Sequence, residues 1–242
     1  MSVRRTRRAL AAAVAAGLIG LAAVGCSSDG GADAGPAGKV AEAPPAHAGT
    51  LRVLPSAVRD TKIVVGAADA PHTVTVYADP RCPYCAKFEA SGGTVLAERA
   101  ARGELRIEYG IASFLDARTG GTASARAANA LRAAAEEGPG KFAAFQAALF
   151  ASQPADESKD AFTADHLLRI ADRVDGLRGD AFDRAVRDGT HAAWVADAEK
   201  AFEDSGVGGT PSVLVDGKAL DGGAGLYDAD AFGRLLDGAL GS

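Results

Sequence analysis

Two cysteines three positions apart, in Cys82-Pro83-Tyr84-Cys85, carry the most reactive side chains of this chain. Such a pair has three uses. Paired thiolates make half of a zinc site; buried thiols pack as small apolar groups; two thiols within reach of each other exchange between dithiol and disulfide. Zinc would need further ligands. There is no second cysteine pair, His47 lies in an Ala/Gly/Pro-rich stretch, His72 in a turn, and His166 and His191 are isolated. The redox use has position in its favour. The β-branched run Thr73-Val74-Thr75-Val76-Tyr77 reads as a buried strand, and a helix is predicted to open at the pair. Cys82 then stands at a helix N-terminus, where free N–H groups and the helix dipole favour a thiolate. Arg81 adds positive charge beside it. Cys85 falls one turn on, placed to resolve a mixed disulfide, and Pro83 stiffens the first turn without costing a hydrogen bond. The sequence carries no flavin, nicotinamide or haem motif. Gly208-Gly209 and Gly222-Gly223 read as turns rather than phosphate cradles. No metal and no cofactor is expected.

The elements that must hold this pair form an α/β pattern. Leu51, Val53 and Leu54 suggest a short edge strand, and Lys62-Ile63-Val64-Val65 a second strand. The helix from the cysteines is predicted to reach about Arg102, loosened at Gly92-Gly93. Leu105-Arg106-Ile107-Glu108-Tyr109 alternates as a strand. The middle is helical: Ala123 to Glu137 is alanine-rich and closed by Gly138-Pro139. Phe142, Phe145 and Leu149 form one stripe, Leu167, Ile170 and Val174 another, and Val195, Ala198 and Phe202 a third. Asp180 reads as a cap for the segment with Phe182 and Val186. Strand character returns at Val213-Leu214-Val215, with Asp216-Gly217 as a hairpin turn, and Phe232, Leu235 and Leu236 mark a terminal helix. One sheet domain, residues 50–242, is thus expected, interrupted by a helical subdomain at about 112–200.

The third cysteine belongs to a different segment. Arg4, Arg5, Arg7 and Arg8 precede 17 uncharged residues, Ala9 to Gly25. That is the basic and apolar layout of an export signal and is short for a membrane span. Ala23-Val24-Gly25-Cys26 resembles a bacterial lipoprotein cleavage box, although Ala23 stands where leucine is usual. The resemblance implies removal of residues 1–25 and a lipid on Cys26, with plain secretion or a retained anchor as the alternatives. Residues 26–49 hold seven Ala, five Gly and three Pro and read as a flexible tether. Removing the signal lowers the basic count from 26 to 22 against 31 acids, so the balance moves from −5 to −9. Such a body gives no electrostatic reason for nucleic acid as a partner and no charge-based hold on anionic lipid. Membrane attachment rests on Cys26.

Asp79-Pro80-Arg81-Cys82-Pro83-Tyr84-Cys85, the distant Gly208-Gly209-Thr210-Pro211-Ser212-Val213, and the order of elements together resemble the bacterial DsbA-like thiol–disulfide oxidoreductases of the thioredoxin superfamily. The resemblance runs from about Lys62 to Leu240. It implies a thioredoxin fold with an inserted helical subdomain and a Cys82–Cys85 redox disulfide. It also implies a cis Pro211 facing the pair, with Arg81, Pro83, Tyr84, Thr210 and Pro211 bordering the site. The Thr210 backbone would pair with an extended substrate. Relatives often carry an acid under the resolving cysteine. The matching position here is Val76, which leaves that role to water, to Glu108 or to nothing. The implied function is disulfide exchange on exported proteins with free thiols, on the outer face of the cytoplasmic membrane and most simply in the forming direction. A separate partner would recycle the pair. Reductase or isomerase action uses the same residues. The reading from another class is a redox-silent lipoprotein that binds peptide or a partner.

Overall fold

The computed structural model describes residues 39–41 and 47–241. Residues 1–25, where a signal is expected, Cys26 and most of the expected tether lie outside the described residues. The last part of the tether departs from expectation. His47–Leu51 forms a short helix, α1, with Ala48 and Leu51 buried in the core. His47 Nε2 meets Glu89 Oε1 at 2.9 Å. Gly140 lies so close to the Arg52 backbone, at φ +74°, that a Cβ there has no room. Composition gives no sign of this segment because Ala48 and Leu51 are its two buried apolar side chains.

Six strands form one mixed sheet among the described residues: β1 (Ser56–Arg59), β2 (Lys62–Val65), β3 (His72–Ala78), β4 (Leu105–Ile111), β5 (Ser212–Val215) and β6 (Lys218–Ala219). Their order is β1-β2-β4-β3-β5-β6. The expected edge strand at Leu51–Leu54 is not formed; β1 begins at Ser56. Asp60, at φ +50°, closes the β1–β2 turn, and that turn sets where the hairpin starts. β3 and β4 run parallel, with Val76 opposite Tyr109, and every other pairing is antiparallel. A parallel pair needs a crossover. Here it is α2 (Pro83–Ala90) and α3 (Gly92–Ala101), two helices broken at Ser91 rather than one loosened helix.

Alternation along the central strands sorts the two faces. Val74, Val76, Ile107 and Tyr109 enter the main core with Phe88, Leu96, Phe232 and Leu236. Tyr77 points the other way and meets Phe202 at 5.7 Å between ring centroids. Gly110 makes room for it, since a Cβ there would stand 2.5 Å from the Tyr77 ring.

Between β4 and β5 lie α4 (Leu115–Thr119), α5 (Ala123–Ala134), α6 (Lys141–Ala151), α7 (Ala164–Ala171), α8 (Asp180–Asp188) and α9 (Ala192–Asp204). Alanine gives α5 high helix propensity and lets its neighbours approach closely. Phe142, Phe145 and Leu149 of α6 are fully buried, with Phe145 edge-on to Phe182 of α8 at 5.7 Å. Thr163 caps α7 by accepting from His166 N. Asp180 is not the cap of α8. Gly179 is, and Asp180 sits in the first turn, where a carboxylate suits the helix dipole. The chain closes with a 3₁₀ turn, Gly223–Tyr227, and α10 (Ala229–Leu240), capped by Asp228. No helix of the described residues is long and apolar enough to cross a membrane.

Candidate active site

β3 delivers the chain to the cysteine pair. At its end Asp79 and Pro80 turn out of the sheet, and Cys82 is the N-cap of α2, with Pro83 in the first helical turn. Cys85 N donates to Cys82 O at 3.0 Å, so one turn of helix separates the two sulfurs. Both cysteines are free thiols in this structure. Cys82 is 6% exposed and Cys85 only 1%.

The loop before β5 faces this pair. Its Thr210-Pro211 bond is cis, and the Cys82 thiol donates to Thr210 O at 3.3 Å. The Thr210 hydroxyl oxygen is buried and has no acceptor in the dithiol form. That hydroxyl favours ionisation of both Cys82 and Cys85.

These contacts drive the two thiols apart in acidity. The Cys85 thiol, donating to the Cys82 sulfur, is the largest influence and lowers the Cys82 pKa from 9.0 to about 6. Burial opposes it; the Thr210 hydroxyl and the backbone N–H groups of Cys85 and Tyr84 assist it. Burial, and then the neighbouring Cys82, push Cys85 well above 9.0. At neutral pH the site therefore holds an outer thiolate and an inner thiol.

The structure moves the role expected of Arg81. Its guanidinium does not lie over the sulfur but is 2% exposed, with Nη1 donating to Asp116 Oδ1 and to Gly120 O, both at 2.8 Å. Nε donates to Glu157 O at 3.0 Å. Its charge is matched by Asp116, and the helix N-terminus and Cys85 do the work at Cys82. Tyr84 is 53% exposed, 5.7 Å from the Tyr227 ring, with Lys87 Nζ 4.8 Å from its own ring centroid. Val76 lies in the core, and Glu108 is bound to Lys62 on the opposite sheet face at 2.8 Å.

The buried acid of the site is Asp79, three residues beyond Val76. It is fully buried and accepts from Arg81 N, Ser124 Oγ and Leu115 N at 2.9, 2.7 and 3.1 Å. Burial raises its pKa from 3.8 to about 7 against those hydrogen bonds, with Asp116 adding to the rise. Gln153, also unremarkable in the sequence, donates through Nε2 to Pro80 O at 2.6 Å and to Cys82 O at 3.1 Å. The four histidines do not converge on the cysteines: His47 binds Glu89, His72 binds Asp216, His191 faces Glu136, and His166 is stacked on Phe162.

A cleft of about 350 Å³ opens beside Cys82, lined by Tyr84, Phe114, Leu115, Arg118, Glu157 and Thr210 among others. It has an apolar wall and one exposed charge of each sign. A second hollow, about 310 Å³ around Asn129 and Val186 within the helical insertion, lies apart from the cysteines.

A family model described as thioredoxin matches residues 58–237. Among solved structures, oxidised BdbD from Bacillus subtilis superposes with a TM-score of 0.65 at 21% identity, covering 79% of this chain and 99% of that one. The reduced disulfide bond oxidoreductase DsbG of Mycobacterium tuberculosis gives 0.57 at 24% identity, covering 74% and 92%. A thioredoxin-like oxidoreductase from Silicibacter pomeroyi gives 0.57 at 27% identity, covering 77% and 99%. A curated relative, the Na(+)/H(+) antiporter NhaA 3 of Salinispora tropica, is 33% identical over 187 residues. That match takes in 76% of this chain but only 25% of the relative, so the chain spans about a quarter of that protein's length.

Proposed function

The chain belongs to the thioredoxin family, and from that premise we propose that it is a thiol–disulfide oxidoreductase that forms disulfides in exported proteins. The observation that carries this reading is the divided acidity of Cys82 and Cys85 opposite the cis Thr210-Pro211 bond.

In the oxidised enzyme a substrate thiolate attacks the Cys82 sulfur. The Cys82–Cys85 bond breaks, Cys85 leaves with the electron pair and takes up a proton, and a substrate–Cys82 disulfide remains. A second substrate thiolate attacks the substrate's own sulfur in that bond and expels Cys82. The substrate has lost two electrons and the enzyme has gained them. Expulsion is favoured because a low-pKa thiolate leaves readily. The dithiol so formed must pass its electrons to a recycling partner before the next cycle.

The cleft suits an extended chain. An apolar side chain near the substrate cysteine would lie on Phe114 and Leu115, while the Thr210 backbone pairs with its main chain. Export and lipid attachment through Cys26 are supported by the sequence of residues 1–26, with secretion as the other route. The antiport activity of the Salinispora relative belongs to that whole protein and is not carried over.

A glutathione-buffered redox titration with mass-spectrometric thiol trapping tests the reading. A potential near the oxidising end of the superfamily is expected. One near thioredoxin, about −270 mV, would assign the reductase direction instead. A pair that never cycles would leave only a binding role.

A further inference from the structure

The cysteine loop is gripped almost wholly by the helical insertion. Arginine is rarely buried, because withdrawing its charge from water costs several kcal/mol unless pairing and hydrogen bonds compensate. Yet the residue directly before the nucleophile is a buried arginine. All three of its side-chain acceptors, Asp116, Gly120 O and Glu157 O, come from the insertion. Asp116 is itself fixed by accepting from Ser124 N and Ala125 N, both at 2.9 Å, in the first turn of α5. On one side of Arg81, Asp79 is bound to Leu115 N and Ser124 Oγ. On the other, Gln153 holds the carbonyls of Pro80 and Cys82. Leu115, Thr119 and Glu157, which belong to the segments gripping Arg81, also line the cleft beside Cys82.

We propose that Arg81 is a positioning residue: through its buried guanidinium the helical insertion holds the loop that presents the Cys82 sulfur to Thr210 and to the substrate cleft. Its charge is spent on Asp116, so it acts by placement rather than by attracting the thiolate. The same socket ties the cleft wall to the nucleophile, so a peptide seated against Leu115 and Glu157 bears on the loop that carries Cys82. The kinetic part of this inference rests on the exchange reaction proposed above; the ionisation part does not.

The test compares the full chain with Arg81→Lys, Arg81→Met/Asp116→Asn and Gln153→Met, all in a Cys26→Ser, Cys85→Ser background for titration and with both redox cysteines present for kinetics. The Lys variant keeps the charge and loses the fork. The double variant removes both charges, so that no unpaired ion is left buried if Arg81→Met alone fails to fold. The Gln153 variant loosens the same loop without touching a charge. In each folded variant the Cys82 ionisation midpoint should rise, by roughly one pH unit in the arginine variants, a tenfold change in ionisation constant. Exchange with a cysteine peptide should fall roughly tenfold to a hundredfold, as expected when reacting atoms are misplaced. A folded Lys variant that titrates and exchanges like the parent would show that charge alone suffices and would overturn the proposal, as would a folded double variant with an unmoved midpoint. A parent chain that ionises Cys82 near pH 6 but exchanges with no peptide would refute the proposed function, and the midpoints would still decide the role of Arg81.

Discussion

Replacing Cys85 by alanine should raise the Cys82 pKa, whereas replacing it by serine should not. The inner thiol is the largest influence holding Cys82 at about 6. A hydrogen bond to a charged group contributes roughly 1.5–3 kcal/mol, and one pKa unit corresponds to about 1.4 kcal/mol. Loss of the donor therefore moves the midpoint up by roughly one to two units, to about 7–8. Serine keeps an O–H in the same place, so its midpoint should stay near the parent's. At neutral pH the alanine variant would fall from mostly thiolate to about half or less, and alkylation of Cys82 would slow, though less than in proportion because a more basic thiolate is the better nucleophile. Ultraviolet titration of the thiolate, with Cys26→Ser so that a single cysteine responds, reads the midpoint directly. An alanine variant that still titrates near 6 would refute the reasoning. It would assign the acidity to the helix N-terminus and Thr210 alone. A serine variant as basic as the alanine one would refute it equally.

Three other outcomes follow from neighbouring features. Asp79 has a raised folded pKa, so its contribution to stability is complete below about pH 4 and is lost as pH rises through about 7. Asp79→Asn should flatten that decline in urea unfolding of the oxidised protein; an unchanged slope would assign it to another group. Gly140→Ala should destabilise the fold by roughly 1–3 kcal/mol, because φ is positive and the Arg52 backbone blocks the new methyl. Urea midpoints would show this, with faster amide exchange in α1. Arg118, exposed on the cleft rim over the Phe114 ring, should favour peptides with an acid near the cysteine. Arg118→Glu should invert that preference in paired peptide assays while leaving oxidation of dithiothreitol unaltered.

What could be read without the structure was local. The β-branched run of β3, the alternation of β4, the Pro83 start of α2 and the Asp216-Gly217 turn each declare themselves within a few residues. Thr210-Pro211 stands out through the family resemblance alone, since its residues by themselves allow an ordinary turn. The content of the socket was not local. Arg81 meets Asp116 and Glu157 across 35 and 76 positions, and Gln153 reaches Cys82 across 71. No spacing rule joins such residues. Sequence proximity places the Arg81 charge beside the Cys82 sulfur, whereas the structure buries it against the insertion. The position matched to the family's acid, Val76, lies on the strand, where alternation makes its side chain part of the core. Asp79 lies past the end of the strand, where the chain turns and three donors converge. α1 has no legible signal for a different reason: Ala48 and Leu51 are too few to form a period, and their burial depends on α3 and α6.

The divided acidity bears on direction through the reduced state alone. A Cys82 thiolate exists only in the dithiol, so lowering its pKa stabilises that form and leaves the disulfide untouched. With values of about 6 folded and 9.0 as the reference, linkage yields roughly 1.4 kcal/mol at pH 7 and nearly 4 kcal/mol at pH 9. As a two-electron couple, that raises the potential by about 30 mV at neutral pH and about 80 mV at pH 9, relative to a dithiol of ordinary acidity. The sign agrees with linkage: a depressed folded pKa stabilises above the reference value, and that gain is lost as pH falls through about 6. The reduced protein should therefore gain stability over the oxidised one between about pH 6 and pH 9. A redox potential measured across that range should depart from the ordinary two-proton slope by the same amount. A potential that followed the two-proton slope throughout would mean that Cys82 is not ionised in the folded dithiol, and the support for disulfide donation would go with it.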